Sequence, residues 1–403
     1  MQFLLLKGSP KKMKKIKNIF ILIFVFLFFI SFSKPQTANE DTVILISFDG
    51  IRWDAVENVK GFIQIEKEGF RVKKMRSVFP SLTFPAHASI ATGTFPRKHG
   101  IVSSVFLEKN SGKRFSDEKE SEWLLMPPLW VLAERNGLKS AVCAWPLSQG
   151  SWKGTSPSFY KPYTEDLKDK DIEDWIVNLI KRQNKPNLIM AWFHGADHPG
   201  HKFGPNSNEY KQAVQRSGEI IERIILEIKK ANLTNKVALL VTSDHGMTEV
   251  KNEIDLASKI PKRSFYPYIA ISGPVANIYV ENPKQFSDVK NSLKMLKNQF
   301  LFFEKSEIPF ELSTGDSSRS GDFLAVCKIG DIFKPFKNDR TEVLRGMHGY
   351  PPENLDMCGI FLGVGKNVPH KSIEGASITD IAPTVAKILN IKETENMDGK
   401  ELF

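Results

Sequence analysis

Cysteine is nearly absent: Cys143, Cys327 and Cys358 are the three in 403 residues. All sit in apolar, strand-like runs, where a free thiol behaves as a small buried hydrophobe. None has the spacing of a cysteine metal site. Only one bridge could form, and Cys327–Cys358 stays open as that pair. No repeat of fixed period occurs, and no low-complexity tract lies beyond the N-terminus. A basic stripe is also missing. The formal charge is +10, but Lys7, Lys11, Lys12, Lys14, Lys15 and Lys17 supply six of it, with no acid among residues 1–33. The remainder is unremarkable, so duplex nucleic acid is not an expected partner.

Those lysines precede the apolar run Ile19–Ile30, and Ser31-Phe32-Ser33 follows as a small-x-small pattern. Basic start, short apolar core and small-residue end read as a signal peptide over residues 1–33. The run is shorter than the roughly 18–20 residues of a spanning helix. Residues 34–41 read as a polar linker. The expectation is an exported protein: periplasmic, secreted, or tethered on the outer face through an uncleaved N-terminus.

The rest, 42–403, is long enough for one large core. Val43–Phe48, Leu138–Ala144, Leu188–Phe193, Val237–Thr242 and Cys358–Val364 are near-continuously apolar, as strands covered on both faces are. Helical patterns separate them at Pro128–Asn136, Asp171–Arg182, Asn208–Ala231 and Ile378–Leu389. This alternation predicts an α/β fold, a mostly parallel central sheet with helices on both faces. The pattern loosens at about 250–345. A β-rich Tyr268–Val280, a helix near Phe286–Phe300 and a strand Phe323–Cys327 predict a smaller inserted α+β lobe.

Polar residues gather where the strands end. Asp49 follows the first strand, Asp197 the third, and Asp244 with His245 the fourth. In an open parallel sheet, sites form outside the carboxyl ends of strands. His201 follows Asp197 by four residues, and His348 precedes the last strand. Thr83 sits at or just before a helix N-terminus. Pro85 suits the first turn, and Gly93 suits the end. Unpaired N–H groups there favour an anion, or the alkoxide of a nucleophilic hydroxyl. Any one such Asp is more often a cap or turn residue; the joint placement is what carries weight. Three Asp, three His and one Thr suit two Zn²⁺ ions, with other divalent metals as alternatives. Two metals ~4 Å apart can clamp the attacking and leaving oxygens of a phosphoryl transfer.

The segments Ser47–Asp54, Phe79–His87 with Thr92-Gly93 and His99–Val102, Asp197–Pro205, Ser243–Met247 and Met347–Tyr350 resemble, in order, the nucleotide pyrophosphatase/phosphodiesterase family of the alkaline phosphatase superfamily. The resemblance spans nearly all of the chain after residue 41. It implies an alkaline-phosphatase-like fold and zinc-dependent hydrolysis of phosphodiester or pyrophosphate bonds in small nucleotides and related esters. Thr83 is the implied nucleophile, passing through a phospho-threonine intermediate. One zinc falls to Asp197, His201 and His348. The other falls to Asp49, Asp244 and His245, and touches Thr83. Phe84 and Tyr160 are implied to flank a nucleobase or other leaving group.

Two positions depart from the family, and the first bears on the chemistry. The family's phosphate-holding Asn lies 21 residues after the nucleophile, and here that residue is Ser104. A serine hydroxyl donates one hydrogen bond and is shorter than the amide. The family's Asn three residues after the nucleophile is also replaced, by Ala86. Three rival readings follow. A phosphomonoesterase of the same superfamily needs extra cations, for which Lys153, Lys161 and Lys202 are candidates. A choline-phospholipid diesterase needs an aromatic, acidic pocket. A zinc-dependent protein that binds phosphate esters with little turnover is the third.

Overall fold

The computed structural model describes residues 41–260, 268–312, 314–315, 318–335 and 343–403. The signal peptide and all but the last residue of the linker lie outside the described residues. Among the described residues no helix is long and apolar enough to cross a membrane.

Eight strands form the main sheet. In chain order they are β1 (Thr42–Phe48), β2 (Phe70–Arg76), β3 (Ser140–Cys143), β4 (Phe159–Lys161), β5 (Leu188–Phe193), β6 (Val237–Thr242), β7 (Gly359–Gly365) and β8 (Lys371–Ser377). Their spatial order is β8-β2-β7-β6-β1-β5-β3-β4. All neighbours are parallel except β7, which runs antiparallel to β2 and β6. β1 is buried along its whole length, which is why it reads as an unbroken apolar run. β2 and β8 escape that reading for a physical reason. β2 alternates buried and accessible positions, and β8 is a largely exposed edge.

Helices cover both faces. On one side, α2 (Thr83–Thr92), α3 (Leu129–Arg135) and α7 (Ile381–Leu389) share a core with Val43, Leu45, Met190 and Leu240. On the other, α1 (Lys60–Glu68), α4 (Asp169–Ile180) and α6 (Asn208–Lys230) pack on Ile44, Ile46, Ile189 and Val241. The odd–even split of β1 between these cores is the period of two of a strand. A short helix, α5 (Asp197–Phe203), follows β5. The helix expected at Asp171–Arg182 begins and ends two residues earlier, as α4. Residues Ile378–Asp380 form a 3₁₀ turn before α7.

Between β6 and β7 lies the second, smaller sheet, ordered Tyr268–Ser272, Val275–Tyr279, Phe323–Cys327, Phe300–Glu304 and antiparallel throughout. The helix Phe286–Met295 packs on it through Val289 and Leu293. The helix expected to run to Phe300 stops earlier, because Phe300-Leu301-Phe302-Phe303 pairs as a strand. Aromatic residues fit a pleated, half-buried surface better than a helix. At the root of this lobe, Thr248–Glu249 pairs with Gly346–Met347, pinning entry to exit. The three cysteines are free and buried, so Cys327 and Cys358 are not bridged.

Where α1 crosses α6, Gly61 and Gly218 face each other without side chains. A methyl on Gly61 would overlap the carbonyl of Gly218. Gly61→Ala is therefore expected to lower the melting temperature by a few degrees, about 1–3 kcal/mol of overpacking. Thermal unfolding checks this.

Candidate metal centre and active-site cleft

The parallel register decides the site. β1 pairs Phe48 with Phe193 of β5 and Ser47 with Thr242 of β6. The chain therefore leaves three adjacent strands at one edge, carrying Asp49, Asp197 and Asp244 there. Gly50 turns away at φ +67, and an added Cβ would meet Asp197 Oδ1 at 3.0 Å. A side chain at 50 would be strained twice over. Tyr210 of α6 anchors this turn: its hydroxyl donates to Gly50 O at 2.8 Å and accepts from Arg52 N–H at 2.9 Å.

Thr83 is the first residue of α2, after Leu82. The helix thus starts earlier than Pro85. Proline removes one N–H from the first turn, and Ala86 N–H donates to Leu82 O. The amides of Thr83 and Phe84 are what remains for a ligand. Thr83 Oγ1 lies 3.4 Å from His245 Nε2. Behind it, His87 Nδ1–H donates to Thr83 O at 2.9 Å, while its Nε2 accepts from Ser47 Oγ at 2.9 Å. His87 is fully buried. Its place in the Phe79–His87 motif was legible, but its partners required the fold.

The three other histidines share one device. His201 Nδ1 donates to Gly346 O at 2.8 Å, His245 Nδ1 to Gly246 O at 2.9 Å, and His348 Nδ1 to Ser81 O at 2.9 Å. A carbonyl only accepts, so each Nδ1 carries a proton, and in the neutral imidazole Nε2 is left with a lone pair. Those lone pairs converge on the carboxylates. His245 Nε2 is 3.1 Å from Asp244 Oδ2 and 3.5 Å from Asp49 Oδ1. His201 Nε2 is 3.2 Å from Asp197 Oδ2 and 3.2 Å from His348 Nε2. His245 and His348 stack at 3.6 Å.

Such a set fits a metal and little else. Among the described residues, Asp49 Oδ1, Asp197 Oδ1 and Asp244 Oδ2 are buried without a hydrogen-bond partner. Asp49, Asp244 and His245 offer donor atoms within 4.8 Å of one another, as do Asp197, His245 and His348. Backbone bonds orient each imidazole, as metal-binding histidines require. Burial and the charges of Asp244 and Asp197 push the Asp49 carboxyl well above the usual carboxylate range, although Trp192 Nε1–H donates to it at 3.0 Å. Burial works against ionising Asp244 too, but His245 and His87 hold it down at about 2. Burial and the neighbouring His245 push His348 down to about 3.

A cleft of about 480 Å³ opens over this cluster, lined by Asp49, Thr83, Phe84, Ser104, Asp197, His201 and His348 among others. Beside it lies a cavity of about 290 Å³ with walls of Phe84, Trp145, Tyr160, Tyr163 and Trp192. Tyr160 lines only this second cavity, whereas Tyr163 lines both. Lys153, Lys161 and Lys202 line neither, and among the described residues Lys119 is the one lysine that does. Tyr163, Trp192, His194 and Asp117 were not singled out by sequence reasoning. Only Tyr163 carried a signal, at the end of the stretch from Trp145 that resembles the family's substrate-pocket segment.

An eight-stranded, mostly parallel sheet with a polar cluster at its carboxyl edge is the alkaline-phosphatase-like architecture of α/β hydrolytic enzymes. Residues 43–351 match the family model described as type I phosphodiesterase / nucleotide pyrophosphatase. The chain belongs to that family. It is 30% identical over 387 residues to human ectonucleotide pyrophosphatase/phosphodiesterase family member 5, covering 92% of this chain and 80% of that one. It is 27% identical over 376 residues to a bovine bis(5'-adenosyl)-triphosphatase, covering 90% and 81%. Among solved structures, murine ectonucleotide pyrophosphatase/phosphodiesterase 5 superposes with a TM-score of 0.81 at 28% identity, over 87% of this chain and 95% of that one. An inactive threonine-to-alanine form of that murine protein was solved in complex with AMP.

If the carboxylate cluster exists to hold cations, neutralising one member has opposite effects with and without them. The Asp49 carboxyl is raised, so its ionised form destabilises the metal-free fold as pH rises through that raised value. Asp49→Asn is expected to raise the melting temperature of chelated protein at pH 8 and to lower that of zinc-loaded protein. Differential scanning calorimetry in both states checks the crossing.

Proposed function

We propose that the protein hydrolyses phosphodiester or pyrophosphate bonds of nucleotides and related small esters through a phospho-threonine intermediate. The observation that carries this is Thr83. Its hydroxyl stands at a helix start, 3.4 Å from His245 Nε2, at the edge of a carboxylate–imidazole cluster. The donor set fits two zinc ions, one at Asp49, Asp244 and His245 and one at Asp197, His201 and His348. When bound, they would lower the pKa of the Thr83 hydroxyl and stabilise the leaving oxygen.

In the first step the Thr83 oxygen forms a bond to phosphorus as the bond to the leaving oxygen breaks. Ser104 and the open amides of Thr83 and Phe84 hold a non-bridging oxygen. In the second step a water oxygen, entering from the side of Asp197, His201 and His348, bonds to phosphorus as the bond to the Thr83 oxygen breaks, and a proton given up by the water returns to the Thr83 hydroxyl. His87 keeps the Thr83 backbone fixed through both steps. Phe84 and Tyr163 form the near walls for the nucleoside, with Tyr160 further along.

The position of the lysines speaks against the phosphomonoesterase reading, since none of the three candidates lines the cleft. The aromatic cavity also contains Asp117 and Glu165, which suits a choline head group and keeps the choline diesterase as a second reading.

Thr83→Ala is expected to lower turnover of a chromogenic nucleotide diester by at least about a thousandfold, with zinc still at about two ions per chain. Full activity would sink the assignment. The wild-type diester-to-monoester ratio of kcat/KM is expected to be far above one; a ratio below one moves the function to phosphatase. Ser104→Asn is expected to raise diester turnover on the order of tenfold, by restoring an amide donor.

A further inference from the structure

The cleft and the aromatic cavity share Phe84, Asp117, Tyr163 and Trp192. Three of these are apolar walls and the fourth is a carboxylate. Asp117 closes the root of a hairpin whose strands, Val105–Glu108 and Lys113–Ser116, pair Val105 with Ser116. Its N–H donates to Ser104 O at 3.0 Å, so Ser104 and Asp117 face each other one step beyond the ladder. Its φ is +53, a left-handed turn that Asp and Asn tolerate better than other side chains. Phe115 packs edge-on against Phe84 at 5.6 Å and stacks on Phe106 at 4.6 Å. The hairpin is thereby fixed to the residue beside Thr83. No hydrogen bond or ion pair ties the Asp117 carboxylate to another described residue, and Lys119 lies over the Tyr163 ring at 5.2 Å.

A nucleotide with its phosphorus at Thr83 and its base in the aromatic cavity must cross this junction. Burial and the neighbouring Glu118 push this carboxyl up to about 6, and above that pH it is ionised, accepting hydrogen bonds and donating none. A base edge with an N–H₂ group gains a charge-assisted bond there. A carbonyl in the same place meets lone pairs with lone pairs, and the ring N–H beside it reaches the carboxylate only if the base shifts, so a keto base binds more weakly there. From this juxtaposition we propose that Asp117 is a specificity-determining residue, selecting nucleotides whose base carries an exocyclic amino group, of adenine or cytosine type, over their keto counterparts. The proposal rests on the nucleotide reading above and adds the base class to it.

The test is binding, which needs no turnover. Calorimetry on zinc-loaded Thr83→Ala protein compares AMP with IMP and CMP with UMP. The amino member of each pair is expected to bind tighter by on the order of tenfold or more, the range of a hydrogen bond to a charged group. Asp117→Asn keeps the backbone conformation and the volume, but its amide can donate as well as accept. Both ratios should then fall to within about twofold of one. Ratios near one with Asp117 intact overturn the proposal, as do ratios that persist in Asp117→Asn. If that variant does not fold, the ratios with Asp117 present decide alone. Four nucleotides binding equally defeats only this inference. No nucleotide binding at all, or choline phosphate binding instead, defeats the nucleotide reading and this inference with it.

Discussion

Three carboxylates converge where three adjacent parallel strands end, in a place largely closed to water. Like charges at such distances cannot all ionise without compensation. Asp49 takes the strain, with its carboxyl pushed well up, while Asp244 stays ionised beside His245 and His87. The histidines compensate only part of that charge: Asp244 holds His245 up against burial, while burial and the neighbouring His245 push His348 down to about 3. What remains is an array of lone pairs waiting for cations. The depth of β1, the left-handed turn at Gly50 and the tie from Tyr210 all serve to hold that array in place.

The inserted lobe contributes less chemistry than position. Roughly a hundred residues separate His245 from His348 in the chain, and their rings stack at 3.6 Å. Closing so long a loop is an entropic cost that grows only slowly with length. The short ladder between Thr248–Glu249 and Gly346–Met347 closes it within a few residues of both histidines. Ser272 of the same lobe meets Ser103 Oγ at 2.9 Å and Val105 N–H at 3.1 Å. The lobe therefore braces the hairpin that carries Ser104 and Asp117 as well as His348.

Two residues on which the proposals rest stand at the root of that hairpin. Ser104 lines the cleft, and Asp117 at the same root lines both the cleft and the aromatic cavity. The proposed reaction and the proposed base preference thus depend on one small element. Its orientation is set by Phe115 against Phe84 and by Ser272 beneath it.

The sequence by itself determined the α/β class, because doubly covered strands must be apolar throughout and helices must show a 3.6-residue stripe. It also determined which side chains stand at strand ends, since Asp49, Asp197 and Asp244 each directly or closely follow such a run. Strand order is a different matter. That β6, β1 and β5 are neighbours depends on long-range pairing that no local pattern encodes. β2 and β8 were illegible because one alternates and the other is an exposed edge. Imidazole tautomers, the support of Thr83 by His87 and the meeting of Asp117 with Ser104 all hinge on partners far away in the chain or across a turn. Those contacts exist only once the backbone has closed, and tertiary structure alone decided them.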